Sequence, residues 1–348
     1  MATFPATAKN TQKRNPAPPR TDLRALWLGI LFSFLFTGLI WLAGGRLAAI
    51  ERLPDSGYIW YEWKLPQPDL WARITAWGGY LLHQIGIWVL IYVAQKNKLK
   101  YTTGLHAVNY WALGLNALFI VFHFIQTHVW YDALAQDTPI WASQFSVIVL
   151  LVAVLLMENN RRGLFFGKKA PISNDVIGFV KRYHGYYFAW AMVYTFWYHP
   201  MEGLSQHLLG FLYMFLLMLQ GSLFFTRVHV NKWWTTAQEV MVLAHGTLVA
   251  VANQNGIWPM FFYGFLGMFV ITQMFGLGLK RWQQWAFLAF YAISAIIVYS
   301  GRGWDKSYEL LSIPLIEFLS VFVLAGLIWL GMWIASRFNR PTPTVAGD

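Results

Sequence analysis

The side chains able to carry proton or metal chemistry are nine histidines and 15 aspartates and glutamates, in a chain without cysteine. The lack of cysteine excludes disulfides, iron–sulfur clusters, thiolate zinc sites, thiolate-bound haem and a cysteine nucleophile. Two kinds of chemistry remain. One is proton transfer by carboxyl and imidazole groups, and the other uses a metal or haem held by histidine.

The segment 197–207, Trp-Tyr-His-Pro-Met-Glu-Gly-Leu-Ser-Gln-His, holds the densest group of these residues. Pro200 cannot continue a helix and Gly203 permits an unusual turn, so His199 and Glu202 are predicted on a tight turn between two apolar segments. A carboxyl group in a partly dry aromatic setting has a raised pKa and can act as a general acid. The pattern therefore predicts Glu202 as a proton donor. The alternative is that the segment is an ordinary loop with a proline turn and has no catalytic role.

Other candidate residues lie toward the same end of the apolar segments. The predicted catalytic set comprises the acids Glu202, Asp305 and Glu317 and the bases or water-positioning groups His199, His207, His123 and His128. Aromatic residues make up 18% of the chain, and each aromatic face stabilises a nearby cation by roughly 0.5–2 kcal/mol. Interfacial aromatic belts and hydrogen bonds between helices are the structural alternative.

These features favour an enzyme of the isomerase or lyase type acting on a lipid-soluble substrate. A polycyclic isoprenoid of the triterpenoid or hopanoid kind suits an aromatic pocket, because protonation of an alkene creates a carbocation that ring faces stabilise. Cyclisation, isomerisation and hydration all fit this chemistry. No cofactor is predicted for it.

A second hypothesis is a membrane oxidoreductase with histidine-bound iron, copper or haem b. Its candidate ligands are His83, His123, His199 and His207. The clustered histidine motifs of lipid oxygenases are missing, since His123 and His128 are five residues apart and point about 140° apart on a helix. One haem between His83 and His123, or between His207 and His245, stays open. A transporter ranks third, because polar residues at successive depths form only a broken path.

The elements that must position these residues are membrane-spanning helices. The chain is 57% hydrophobic and 12% charged, whereas soluble proteins are about 45–50% apolar and 25% charged. A spanning helix needs roughly 20 apolar residues. Ten segments qualify, with turn residues at 253–256 dividing one long stretch: 25–45, 74–95, 101–131, 138–157, 183–201, 203–226, two within 240–279, 282–301 and 310–336. The predicted fold is an all-α, polytopic membrane bundle of about ten helices.

The distribution of charge predicts the orientation of this bundle. Loops assigned to the inside carry 20 of the 26 lysines and arginines, and loops assigned to the outside carry six. The positive-inside rule therefore places both termini in the cytoplasm. The net charge of +11 serves orientation and contact with anionic lipids, so no nucleic-acid partner is expected.

Three regions follow from this topology. Residues 1–23 are predicted as a disordered basic cytoplasmic tail, 24–337 as one transmembrane domain and 338–348 as a short cytoplasmic tail. The expected location is a bacterial inner membrane. The expected partners are membrane lipids and a lipid-soluble substrate.

Overall fold

The computed structural model of the chain describes residues 20–54, 56, 64–67, 69–131, 133–254 and 256–338. It is 79% helical, and no strand occurs within those ranges beyond two isolated bridges. The prediction of an all-helical chain is confirmed. Most of the two predicted tails, 1–19 and 339–348, lies outside the described residues.

Ten α-helices follow one another in the described part of the chain, one for each predicted span. They are α1 Thr21–Ala43, α2 Leu70–Lys96, α3 Ala107–Trp130, α4 Ile140–Arg162, α5 Asn174–Tyr198, α6 Ser205–Ser222, α7 Lys232–Ala252, α8 Trp258–Ile271, α9 Arg281–Arg302 and α10 Glu309–Phe338. The helices begin at Thr21 and end at Phe338, and that residues 24–337 form one transmembrane domain stays a prediction.

Seven of these helices are long and apolar enough to cross a membrane, which indicates an integral membrane protein. They are α1, α2, α3, α4, α8, α9 and α10. The helices α5, α6 and α7 do not meet the same measure, because aromatic, histidine and glutamine residues interrupt their aliphatic ones. That all ten helices cross the membrane stays a prediction.

Polar side chains and proline fix where several helices begin. Asp69 accepts hydrogen bonds from the backbone of Trp71 and Ala72 at the start of α2, and Asn231 does the same at the start of α7. Such caps satisfy amide groups that have no partner within the helix. Pro200 comes directly after the residue that ends α5, as the sequence predicts.

The helix ends form two layers. At the basic end, the backbone amide of Asp22 donates to Thr103 and that of Arg227 donates to Thr102. These bonds bring the starts of α1 and α3 to the end of α6. At the opposite end, called the site end here, the chain after α1, the end of α3 and the turn between α5 and α6 meet. Histidines and carboxylates of segment 197–207 lie in this second layer.

Two glycines form the closest backbone contact at the site end. A Cβ atom placed on Gly44 would lie 2.8 Å from the Cα atom of Gly203. Only the absence of both side chains lets the end of α1 lie against the turn between α5 and α6. Gly45, the next residue, has nothing within 4 Å of its corresponding position.

We expect Gly44→Ala to lower the free energy of unfolding by about 1–3 kcal/mol, because the added methyl group forces two backbone segments apart. Gly45→Ala is the matched control and should leave stability nearly unchanged. Thermal unfolding of the purified proteins in detergent measures both. Equal losses in the two variants would contradict the close contact.

Candidate active site

A buried ion pair with a phenol joins three separate parts of the chain at the site end. Arg52 Nη1 lies 3.0 Å from Glu202 Oε1, and the Tyr131 hydroxyl donates a short hydrogen bond to the same oxygen. Arg52 follows α1, Tyr131 ends α3 and Glu202 lies between α5 and α6. Glu202 is 4% exposed and Tyr131 3% exposed. These three residues are called the first Arg–Glu–Tyr group.

The partners of Glu202 determine which protonation state is favoured. A guanidinium and a phenolic donor on one oxygen stabilise the carboxylate anion. The predicted role of Glu202 as a proton donor needs a neutral carboxyl, which these contacts disfavour. Burial raises the pKa of the Tyr131 phenol, and the neighbouring Glu202 carboxylate raises it further. Tyr131 therefore stays protonated and serves as a hydrogen-bond donor.

The same residue types form a second buried group between α9 and α10. Arg302 donates to the two Glu309 oxygens at 2.9 and 3.2 Å, and the Tyr299 hydroxyl donates at 3.0 Å. The Glu202 and Glu309 side chains are 5% and 6% exposed, and their arginine partners 24% and 21%. No histidine follows His245 in the sequence. An Arg–Glu–Tyr group alone is therefore no sign of chemistry, and histidines distinguish the first group from the second.

Histidines from three helices approach one another at the site end. The ring centroids of His199 and His207 are 5.8 Å apart. Nδ1 of His199 donates to the Thr195 carbonyl oxygen at 2.9 Å, so Nε2 carries the lone pair of the neutral ring. His245 of α7 packs against α6, where a Cβ atom on Gly210 would lie 2.9 Å from its Nε2. Gly210 is one helical turn from His207.

His123 is completely buried behind this group. Its Nε2 donates to the His199 carbonyl oxygen at 2.9 Å, and its Nδ1 lies 3.2 Å from Oε1 of Gln126. Two acceptors require a proton on both nitrogens, so this arrangement suits the imidazolium. If the amide of Gln126 is turned, its Nε2 donates to Nδ1 and the neutral ring is satisfied. Either way, both ring nitrogens are engaged.

A chain of hydrogen bonds continues from the site end toward the middle of the bundle. His83 Nε2 lies 2.7 Å from the Asn116 side-chain oxygen, and His83 Nδ1 accepts from the Trp197 indole at 3.3 Å. A neutral His83 with its proton on Nε2 satisfies both contacts. Asn116 in turn donates to the Ser222 hydroxyl at 2.8 Å. These polar groups are buried and mutually satisfied.

Aromatic rings enclose the buried histidines. His123 lies 4.5 Å from the Trp197 ring and 4.9 Å from the Phe196 ring, and His83 stacks on Phe119 at 4.6 Å between centroids. Trp197 and Phe196 are fully buried. The rings exclude water and present π faces on which a protonated imidazole is stabilised.

Three predicted site residues lie apart from this group. His128 donates from Nδ1 to the Phe124 carbonyl oxygen at 2.8 Å, and its Nε2 has no partner among the described residues. Asp305 is exposed in the turn between α9 and α10. Those two helices pack against α8 and α4. Glu317 of α10 is buried and faces a different cavity.

The cavity beside Glu317 lies between α4, α7, α8 and α10. Its volume is about 20 Å³, which is room for about one water molecule. Glu239 also lines it and forms a double hydrogen bond with Arg162 at 2.6 and 2.9 Å. Oε2 of Glu317 has no hydrogen-bond partner among the described residues. Glu317 is thus a buried carboxyl without an ion-pair partner, unlike Glu202.

Sequence reasoning did not select three residues that complete the site. Arg52 and Tyr131 contact Glu202, and Asn116 holds His83. His245, which approaches α6, was considered only as a haem ligand with His207. Arg52 could have been noticed in the sequence, because it is one of only six basic residues in the loops assigned to the outside. Nothing in the sequence links Tyr131 to Glu202, since 71 residues separate them.

The predicted metal ligands have other contacts. Within the described residues, no three His, Cys, Asp or Glu side chains are grouped so that they could hold a metal ion. Both ring nitrogens of His83 and of His123 already make hydrogen bonds. Metal binding at either would require these bonds to break. Among the remaining predicted ligands, His199 and His207 approach as a pair, with ring centroids 5.8 Å apart.

Comparison with known proteins gives no relative, because no family model, curated protein or solved structure matches this chain.

The two Arg–Glu–Tyr groups should contribute similarly to stability. We expect Glu202→Gln and Glu309→Gln each to cost about 2–3 kcal/mol, below the value for a fully buried pair because each arginine is partly exposed. The double variant Arg52→Gln/Glu202→Gln should cost less than the sum of its single changes.

Thermal unfolding in detergent tests this expectation. The control is Arg73→Gln, which breaks an exposed 2.8 Å ion pair with Asp137 and should cost under about 1 kcal/mol. A Glu202→Gln protein as stable as wild type would show that the first group does not hold the site end together.

Proposed function

We propose that this chain is a ten-span inner-membrane enzyme that moves a proton on a lipid-soluble substrate at the site end. The observation that carries the proposal is the approach of the buried His207 and the half-buried His199 and His245 next to the first Arg–Glu–Tyr group. The second Arg–Glu–Tyr group shows that such an anchor forms without histidines. An Arg–Glu–Tyr group therefore does not need neighbouring histidines in order to form.

Helix packing supports ten spans. The three less apolar helices pack against helices that meet the measure for spanning: α5 against α2 and α4, α6 against α1, and α7 against α8. Neighbouring helices shelter polar side chains from lipid, so α5, α6 and α7 can cross while carrying histidine and glutamine. The bias of 20 basic residues to six supports placing both termini in the cytoplasm and the site end outside.

Proton transfer by imidazole is the chemistry favoured for this site. Nε2 of a neutral His199 can accept a proton from a carbon that lies between a carbonyl group and a double bond. The imidazolium formed returns this proton to the far end of the double bond, directly or through the neighbouring ring of His207, so both rings end neutral. The double bond then shifts and no atom is gained or lost. Aromatic faces around the histidines stabilise the imidazolium formed between the two steps.

Isomerisation fits the geometry better than cyclisation. Protonation of an isolated alkene needs a strong neutral acid, whereas Glu202 forms an ion pair with Arg52 and accepts a hydrogen bond from Tyr131. Glu317 is a carboxyl without an ion-pair partner, but it lies in a separate cavity away from the histidines. We therefore assign Glu202 and Arg52 to positioning the turn that carries His199. The substrate class proposed is an isoprenoid lipid.

We expect His207→Gln to lower turnover about 10²–10⁴-fold, the usual effect of removing a group that takes part in proton transfer. Tyr131→Phe should also lower turnover, because it loosens the turn that carries His199. Lipid extracts of cells with and without the gene are separated by chromatography and mass spectrometry. They should differ in the proportions of two lipids of equal mass, the substrate and its isomer. The substrate then serves in assays of the purified protein.

Tyr299→Phe is the matched control, because it removes the same hydroxyl from the second Arg–Glu–Tyr group. It should lower stability as Tyr131→Phe does while leaving turnover unchanged. Equal turnover losses in both variants would assign the effect to stability and overturn the site. An unchanged lipid profile with solute-dependent uptake would instead establish transport, for which the buried carboxyl of Glu317 is the candidate proton carrier.

A histidine-bound metal or haem is the second candidate function, favoured by the 5.8 Å separation of the His199 and His207 rings. We expect the protein purified from cells to lack a Soret band and stoichiometric iron or copper. Elemental analysis and a visible spectrum measure both. A Soret band, or one metal ion per chain that is lost in His207→Gln, would replace the proton-transfer proposal.

A further inference from the structure

An apolar groove lies between α1, α3 and α6 and extends from the basic end toward mid-bundle. Its volume is about 470 Å³, within the range of about 300–1,000 Å³ typical of small-molecule pockets. Thr21 and Arg24 line one end, and Phe32, Ile120 and Phe215 line the other. From Thr21 to Phe32 the groove follows α1 for about 16 Å, a length that suits one hydrocarbon chain.

The mouth of the groove is basic. Arg24 is exposed, and its guanidinium has no hydrogen bond or ion pair among the described residues. Backbone bonds from Asp22 to Thr103 and from Arg227 to Thr102 hold the loops after α2 and after α6 beside the start of α1. These loops contribute exposed Lys100 and Arg227. No carboxylate lines the groove, and Asp22 is committed to Arg20.

The interior of the groove has few polar groups that could bind a polar ligand. Its deepest polar groups are Asn116 and Ser222, and both are already hydrogen bonded to each other. Asn116 also contacts His83 at 2.7 Å. Aliphatic and aromatic side chains make up the rest of the deep wall. A ligand matched to this site has a negative head at the mouth and an apolar chain within.

We propose that the groove binds one acyl chain of an anionic phospholipid, with the lipid phosphate beside Arg24. Positive charge at the mouth complements the phosphate, and the phosphate gains a guanidinium that has no partner within the described chain. The acyl chain of this lipid packs within the groove, whereas the chains of other lipids contact only the outer surface of the helices. This site is at the opposite end from the histidines and does not depend on the proposed enzyme activity.

Native mass spectrometry of the full-length protein, delipidated in detergent and titrated with phosphatidylglycerol or phosphatidylcholine, tests this proposal. One phosphatidylglycerol should bind per chain, more tightly than phosphatidylcholine. Ala117→Phe fills the groove and should abolish this binding. Arg24→Gln should weaken it about fivefold, as expected for one basic residue near an anionic head.

Two matched controls are available. Leu118→Phe adds a ring to the neighbouring exposed residue of α3, and Arg46→Gln removes an exposed charge at the other end of α1. Both should bind phosphatidylglycerol as wild type does. Because Arg24 is exposed, its variant should fold even if Ala117→Phe does not. Equal affinity for the two lipids, or unchanged binding by Arg24→Gln, would overturn the proposal.

Discussion

The charge on Glu202 is the constraint on which the site end depends. A carboxylate that is 4% exposed has to be compensated from within the protein, because neither water nor lipid can do so. Arg52 and Tyr131 supply that compensation from two distant parts of the chain. Their contact fixes where the chain after α1 and the end of α3 meet the turn after α5. The close approach of Gly44 and Gly203 is possible only in this arrangement.

Polar residues in α5, α6 and α7 follow the same principle. These helices are less apolar than the other seven, and His199 at the end of α5, His207 of α6 and His245 of α7 belong to them. His83 and His123 lie in α2 and α3. Each buried histidine contact is matched to a carbonyl or amide partner: His199 to Thr195, His123 to the His199 carbonyl, and His83 to Asn116. The more apolar helices around them provide the shelter that makes such residues tolerable in a membrane. The more polar composition of α5, α6 and α7 therefore matches their position among more apolar helices.

Much of the fold could be predicted from the sequence, because long apolar segments mark the ten helices, seven of which are long and apolar enough to span a membrane. The turn at Pro200 was also predictable, since proline and glycine restrict the backbone locally. Contacts across the bundle were not. Glu202 was predicted as a neutral acid because an aromatic setting favours that form, but a partner 150 residues away in sequence reverses the preference. The position of Glu317 depends likewise on which helices pack beside α10, and hydropathy carries no information on that.

The two Arg–Glu–Tyr groups separate support from chemistry. The first joins three distant parts of the chain and the second joins the end of α9 to the start of α10, with nearly equal burial of the glutamate and similar hydrogen bonds. Both groups are expected to stabilise the fold in the same way. Stabilisation therefore does not explain why only the first group has histidines beside it. Buried imidazoles are costly to place, and α9 and α10 form their group without any. We therefore propose that these histidines have a role beyond folding, and proton transfer is the role that imidazole rings are best able to perform.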